Sequence, residues 1–394
     1  MAAHSHSRRP GPADEAGHRR ALVVAVAVVS AAVLVGLVLL WPARPSTVRL
    51  GSAEVAHGTV TATRLQDCAV AQRSCTVVVT VRVTDGPDRG RDTQLTFLPG
   101  ATDPKLEVGE HIRMGRQGSG AGAVYAFADV ERRGPLLLLA AVFVIVVLVT
   151  GRLRGLAAML GLAIAGAGLV WFVLPALLAG ESPTLVALVG GAAITLAVLP
   201  LAHGVSVRTG AALIGTLAGM AIAALLAAVS VSALRFTGTS NEEGTMLQLL
   251  GSRSSVSGLL LCGAVIGAIG VLNDVTVTQA SAVFELAAAD PAASRRRVFS
   301  AAMRIGRDHI ASTVYSLVFA YAGSALPLLL LFVITGQSVG DVLTGDALGP
   351  EIAAGLIGAI ALVLVVPLTT FTAVLLISNR RLRPSASDVA QYAD

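Results

Sequence analysis

Seven residues between positions 263 and 285 have the types and spacing to do chemistry. They are Gly263, Gly267, Gly270, Asp274, Thr278, Ser281 and Glu285, separated by four, three, four, four, three and four positions. At 3.6 residues per turn this places all seven on one stripe of a helix. Glycines allow a second helix to come close, and the carboxylates and hydroxyls then share that protein-facing side. Asn273 borders the stripe, whereas Thr276 and Gln279 lie off it and need partners elsewhere. Carboxylate and hydroxyl oxygens suit proton relay or a hard cation. A second stripe of Arg304, Asp308, Ser312 and Tyr315, with His309 beside it, follows in the next segment and can face the first. A purely structural reading competes. In it Asp274 is hydrogen-bonded packing glue, Glu285 pairs with Arg304 or Arg307, and Asp308 caps the start of its helix.

What sharpens the first reading is the surrounding composition. The chain is 54% hydrophobic and 13% charged with a mean hydropathy of +0.76, about half the charge of a soluble domain, which identifies an integral membrane protein. Apolar runs long enough to cross a bilayer occur at 22–40, 135–151, 156–179, 185–202, 211–234, 258–280, 309–335 and 352–377. Hydrocarbon leaves backbone groups no water, so these eight spans are expected as helices. Asp274 lies about 24 Å along the sixth span at 1.5 Å per residue. Glu285 lies near or beyond its end. A carboxylate at mid-bilayer costs roughly 2.5 to 3.5 kcal/mol on insertion scales, so Asp274 is a functional-site candidate by default.

The basic residues are arginines apart from Lys105, and they sit at the ends of apolar runs. That is the pattern of topology determinants rather than of a phosphate-binding face, so no nucleic-acid partner is expected. Arg8, Arg9, Arg19, Arg20, Arg152, Arg154, Arg208, Arg295 to Arg297, Arg304, Arg307, Arg380, Arg381 and Arg383 all fall on one side of an eight-span chain. Both termini are therefore expected in the cytoplasm. The first span is read as an uncleaved anchor, because Leu40-Trp41-Pro42-Ala43-Arg44 lacks a small-x-small cleavage pattern.

Residues 44–134 form the one long polar segment. Its Val77 to Thr84 run is dense in β-branched residues, and Val55 to Arg64, Thr93 to Leu98, Glu107 to Met114 and Val124 to Val130 are further strands between turn signals. Five short strands predict a small OB-like barrel on the outer side of the membrane. Its few aromatics, Phe97, Tyr125 and Phe127, make no stacking platform, so a spacer or partner-docking role is expected. Cys68 and Cys75 bracket one turn and, on an oxidising side, form a local disulfide.

Other features carry less. Pro175, Pro200, Pro327 and Pro367 lie within spans, Gly215 and Gly219 form a GxxxG read as packing, and His203 ends a span. There is no HExxH, GxSxG or CxxC pattern, so neither enzymatic activity nor a cofactor is expected, no catalytic residue is assigned, and any metal is left unknown.

The run Gly270-Val-Leu-Asn-Asp274-Val-Thr-Val-Thr-Gln-Ala-Ser-Ala-Val-Phe-Glu285-Leu, followed by Gly306-Arg-Asp-His309 and Tyr321-Ala-Gly-Ser-Ala-Leu-Pro327, resembles the YibE/F family of multi-pass bacterial membrane proteins. The likeness extends from about the outer domain to the eighth span. It implies a bacterial cell-membrane protein and carries no substrate or catalytic residue with it.

The resulting expectation is an all-α polytopic bundle of eight transmembrane helices with a small all-β domain between helices one and two. Its parts are a cytoplasmic tail (1–21), an anchor (22–40), the β domain (44–134), a seven-helix domain (135–377) and a cytoplasmic tail (378–394). The expected function is a transporter or permease with a proton- or cation-linked site at Asp274, Asn273, Thr278, Ser281 and Glu285. Asp308, His309 and Tyr315 are secondary members, and Gly263, Gly267 and Gly270 are packing residues. Its partners are the lipid bilayer and a small ion or solute, with any protein partner or oligomer left open. The alternative is a non-transporting anchor or scaffold whose β domain docks a partner.

Overall fold

The computed structural model describes residues 12–42, 54–69, 74–97, 105–118, 122–237, 242–249 and 255–377. Contacts divide the chain into two compact units, residues 47–150 and residues 1–46 with 151–394.

The first unit is built on β1 (Glu54–Ala69), β2 (Ser74–Val83), β3 (Asp92–Phe97), β4 (His111–Gln117) and β5 (Val124–Val130), five antiparallel strands in the order β3-β2-β1-β4-β5. Val79, Val81 and Val83 point inward while Thr80 and Arg82 point outward, and Val60, Leu95, Ile112 and Met114 complete the core. The two edges of the curled sheet approach each other at Phe97 and Phe127, whose rings meet edge to face at 5.5 Å. Gly58 pairs with strands on both sides, and a Cβ there would strike Val81 and Met114. β4 begins at His111, later than the expected Glu107, because Gly109 turns the chain with φ +98° and Glu110 N–H closes on Glu107 O. The backbones of β1 and β2 pair as far as Ala69 and Ser74, but the side chains of Cys68 and Cys75 lie outside the described residues.

One polar knot ties this sheet together. Arg116, 9% exposed, donates to Asp88 at 2.8 Å and to Glu54 at 3.0 Å, and Tyr125 donates its hydroxyl to Asp88 at 2.6 Å. The Tyr125 hydrogen bond and the Arg116 guanidinium hold the Asp88 carboxyl below its ordinary range. A depressed folded-state value stabilises the sheet above the unfolded value, about 3.9, and the contribution is lost as the pH falls through the folded value. Hydrogen-exchange protection of the β4 amides, corrected for intrinsic rate, is expected to drop below about pH 4. Tyr125→Phe is expected to shrink that acid-dependent part; an unchanged acid dependence in the variant would argue against the knot.

The second unit is helical. Its elements are α1 (Pro12–Leu39), the part of α2 (Arg133–Gly168) from residue 151 on, residues 133–150 belonging to the first unit, a π-helical turn (Leu169–Val173), α3 (Leu174–Ala179), α4 (Pro183–His203), α5 (Val207–Leu234), α6 (Glu242–Leu249), α7 (Val256–Ala289), α8 (Arg295–Ser324), α9 (Leu326–Thr335), α10 (Val339–Thr344) and α11 (Gly349–Leu375). Serines start three of the long helices. Ser206, Ser255 and Ser294 accept from the N–H of Thr209, Gly258 and Arg297 respectively.

Six helical stretches are long and apolar enough to cross a membrane, and a seventh is added if the bent pair α8 and α9 counts as one. The difference from the expected eight arises at residues 133–179, which run as one 47-residue apolar stretch. Inside it Arg152 leaves helical geometry (φ 50°, ψ −128°). The prolines act unequally. Pro327 opens α9 just after a 62° bend and Pro175 follows the π turn, whereas Pro200 and Pro367 sit inside continuous helices.

α7 is the central element, packed against α4, α5, α8 and α11. Glycines set the spacing of this core: Gly191 admits Ile269 and Met220, and Gly219 admits Leu272 and Val365, so the Gly215/Gly219 pair does pack helices. α1 joins through Gly36, which admits Val189 of α4, and through Leu22, which packs on Gly210.

Candidate functional site

α7 turns a different face to its neighbours from the one its glycine spacing predicts. Gly263, Gly267, Gly270, Asp274, Thr278 and Glu285 are exposed on the chain and Ser281 is half-buried. The packed face carries Val265, Leu272, Val275, Thr276, Gln279, Ala280 and Val283. A Cβ at Gly263 or Gly270 would meet nothing within 4 Å, and at Gly267 only the Tyr321 hydroxyl, at 3.6 Å. α7 is apolar almost all round, so hydrophobicity ranks no face above another. Val265, Ile269, Leu272 and Val275, with Ala264, Ala268 and Ala280 among them, fill the core, and the glycines Gly263, Gly267 and Gly270 are left outside it. The α8 stripe is likewise outward: Arg304, Asp308, Ser312 and Tyr315 are all exposed. The two stripes therefore do not face each other along their length.

Thr276 and Gln279, which the stripe left unpartnered, belong to a buried polar layer joining α5, α7, α8 and α11. Thr216 and Thr276 share a hydrogen bond of 2.7 Å between their hydroxyls. Gln279 donates through Nε2 to Thr370 Oγ1 at 2.7 Å and to the carbonyl of Ala302 at 3.0 Å. Thr370 in turn donates to Val366 O at 2.7 Å. Thr216, Thr276, Thr369 and Thr370 are 0% exposed. Two glycines make room: a Cβ at Gly215 would collide with the Thr369 hydroxyl, and one at Gly306 would lie 2.7 Å from Val366 and 3.0 Å from Gln279. Such side-chain bonds between helices substitute for water inside hydrocarbon.

Outside this layer, an ionisable pair joins the middle of α7 to α8. His309 Nε2 lies 3.9 Å from Asp274 Oδ2, with His309 29% and Asp274 72% exposed. His309 Nε2 and Asn273 Oδ1 are inaccessible atoms without a hydrogen-bond partner among the described residues. An acid and an imidazole thus come together halfway along α7, beside Asn273, and groups of this kind can exchange a proton.

The remaining candidates separate from this point. Glu285 pairs at 2.8 Å with Arg208 of α5, not with Arg304 or Arg307, because α7 packs against α5 along its length. Asp308 caps nothing. α8 starts at Arg295 with Ser294 as its cap, since the arginine-rich segment ahead of the apolar run is itself helical. Tyr315 is 67% exposed. No group of three or more His, Cys, Asp or Glu capable of holding a metal occurs among the described residues.

Two cavities flank the central segment of α7. One of about 380 Å³ is lined by Gly263 and Ala264 together with Tyr321, Pro350 and Glu351. The other, of about 570 Å³, is lined by Val277 and Ser281 together with Arg154, His203, Arg208 and Thr209. Neither touches Asp274. Stripe residues thus line a cavity at each end. Sequence spacing missed the layer residues Thr216, Thr369 and Thr370 and the cavity residue Arg154. The available signal was the Thr369-Thr370 pair, with Thr372 close by, inside an apolar run.

Comparison with known proteins places the matched region on this architecture. The family described as YibE/F-like protein matches residues 139–379, from the first part of α2 past the end of α11. The match leaves out the five strands, so the likeness is narrower than the sequence motifs predict. No curated protein and no solved structure matches the chain. The quoted motifs fall on the site: Asn273 and Asp274, Gln279 in the buried layer, and Gly306 with His309 across from them. With its apolar helices and a family match over most of its length, the chain belongs to the YibE/F family of membrane proteins.

Proposed function

We propose that the protein is a multi-pass permease of a bacterial cell membrane, not an enzyme, with a proton-linked site made by Asp274, His309 and Asn273. One observation carries this reading. The segment of α7 that holds Asp274 and the Thr276/Gln279 layer lies between two cavities that open at Gly263 and at Ser281. A proton is favoured over a metal cation, because the larger cavity is lined by arginines and a histidine and its nearest acid, Glu285, is held by Arg208. The reading requires that water or protein, not lipid, meet Asp274 in the membrane, since lipid contact would cost roughly 2.5 to 3.5 kcal/mol.

Residues 133–179 are read as two crossings. At ~1.5 Å per residue they would extend ~70 Å against a hydrocarbon core of ~30 Å, and Arg152 breaks the helix between the halves. With α8 and α9 as one crossing the count is eight, and the arginine distribution then puts both termini in the cytoplasm. The strand order and the approach of Phe97 to Phe127 support an OB-like barrel on the outer side, as a spacer or docking module.

The second reading, an anchor or scaffold without transport, is favoured by the 72% exposure of Asp274 and by its lining neither cavity. The test compares ion and metabolite content in cells lacking the protein, cells carrying it, and cells carrying Asp274→Asn. A permease is expected to shift the profile, and the Asn variant to return it to that of the lacking cells. A shift that survives Asp274→Asn removes Asp274 from the mechanism, and no shift at all leaves the scaffold.

A further inference from the structure

The cavity of about 570 Å³ gathers basic groups from three helices: Arg154 from α2, His203 from the last position of α4 and Arg208 from the first turn of α5. Thr209 and Ser281 add hydroxyls. The positive end of the α5 macrodipole points the same way, because that helix starts at Val207. None of the described lining residues is a carboxylate. The adjacent acid, Glu285, meets one nitrogen of Arg208 at 2.8 Å and is itself 69% exposed. Arg154 forms no ion pair with any described residue. Two arginines with an imidazole and hydroxyls between them make an anion-binding arrangement, and the volume is that of a ligand pocket rather than a packing defect.

We infer that this cavity binds a phosphate group. Donors reach it from several sides, which suits a tetrahedral anion with three or more oxygens better than a planar carboxylate with two. Basic pockets among the ends of spanning helices are also where anionic lipid headgroups are held. The shared chemistry is the phosphate, supplied either by a phosphatidylglycerol headgroup or by free orthophosphate. The inference does not depend on the permease reading and holds equally for a scaffold.

The test uses the full-length protein in phosphatidylcholine nanodiscs, with equilibrium binding of radiolabelled orthophosphate. In parallel, lipid retained after purification from mixed phosphatidylglycerol and phosphatidylcholine vesicles is quantified by mass spectrometry. Arg154→Gln and the double variant Arg154→Gln/Arg208→Gln are compared with Arg307→Gln, an exposed arginine of α8 outside the cavity. Arg154 is exposed and unpaired, so its replacement leaves the packing intact. Binding of one ligand is expected to weaken about tenfold in Arg154→Gln, further in the double variant, and not in Arg307→Gln. Saturable orthophosphate binding without lipid enrichment identifies a soluble phosphate ligand. Phosphatidylglycerol enrichment without orthophosphate binding identifies a headgroup site. Binding of neither ligand, binding unchanged in both cavity variants, or an equal loss in Arg307→Gln would overturn the assignment.

Discussion

Gly215→Leu is expected to part α5 from α7 and α11 and to destabilise the helical unit by about 3 kcal/mol or more. A Cβ at this position already collides with the buried Thr369 hydroxyl and lies 3.2 Å from the Thr276 methyl. Neither neighbour has free space to withdraw into, because both threonines are 0% exposed and Thr276 is hydrogen-bonded to Thr216, the residue next to Gly215 on α5. A leucine would drive the backbones apart and break that bond as well. The check is the thermal midpoint of the purified protein, with Cys262 as a second readout. This thiol is buried in α7, at 2% exposure, and its peptide should take up a thiol reagent only when the helices separate. A Gly215→Leu protein with an unchanged midpoint and a protected Cys262 would show that α5 does not pack as described.

Gln279→Ala is the second large effect, expected to cost about 3 kcal/mol from two lost interhelical hydrogen bonds and the cavity left behind. Gln279 is the one described side chain that ties α7 to both α8, through the Ala302 carbonyl, and α11, through Thr370. Its carboxamide sits where Gly306 lets α8 come close. Gln279→Met keeps most of the volume and removes the donors, so it is expected to cost only about 1 to 2 kcal/mol. Equal losses in the Met and Ala variants would assign the whole effect to the hydrogen bonds, and a neutral Met variant would assign it to packing alone.

The layer and the Asp274 pair have different consequences for function. The layer fixes the angle and depth at which α7, α8 and α11 meet, and so the 3.9 Å separation between Asp274 and His309. Variants of Gln279 should therefore disturb stability and site geometry together, whereas Asp274→Asn, on an exposed face, should leave the midpoint nearly unchanged. That contrast separates a residue kept for packing from one kept for use.

Much of this molecule is written locally. Valine alternation from Val77 to Val83 gives β2, serines before Val207, Val256 and Arg295 give helix starts, and the length of apolar runs gives the spanning helices. These depend on backbone geometry and on solvent, both of which act within a few residues. The sequence also set Thr276 and Gln279 apart from the stripe as residues that needed partners. Tertiary structure alone decided which side of α7 is buried. In a helix with apolar residues on every side, the choice is made by how shapes fit against α5 and α11, and shape complementarity involves residues such as Gly215, Gly306 and Thr370 that are far away in the chain. For the same reason the pairing of Glu285 with Arg208, and the gathering of Arg154, His203 and Arg208 around one cavity, emerged only from the assembled helices.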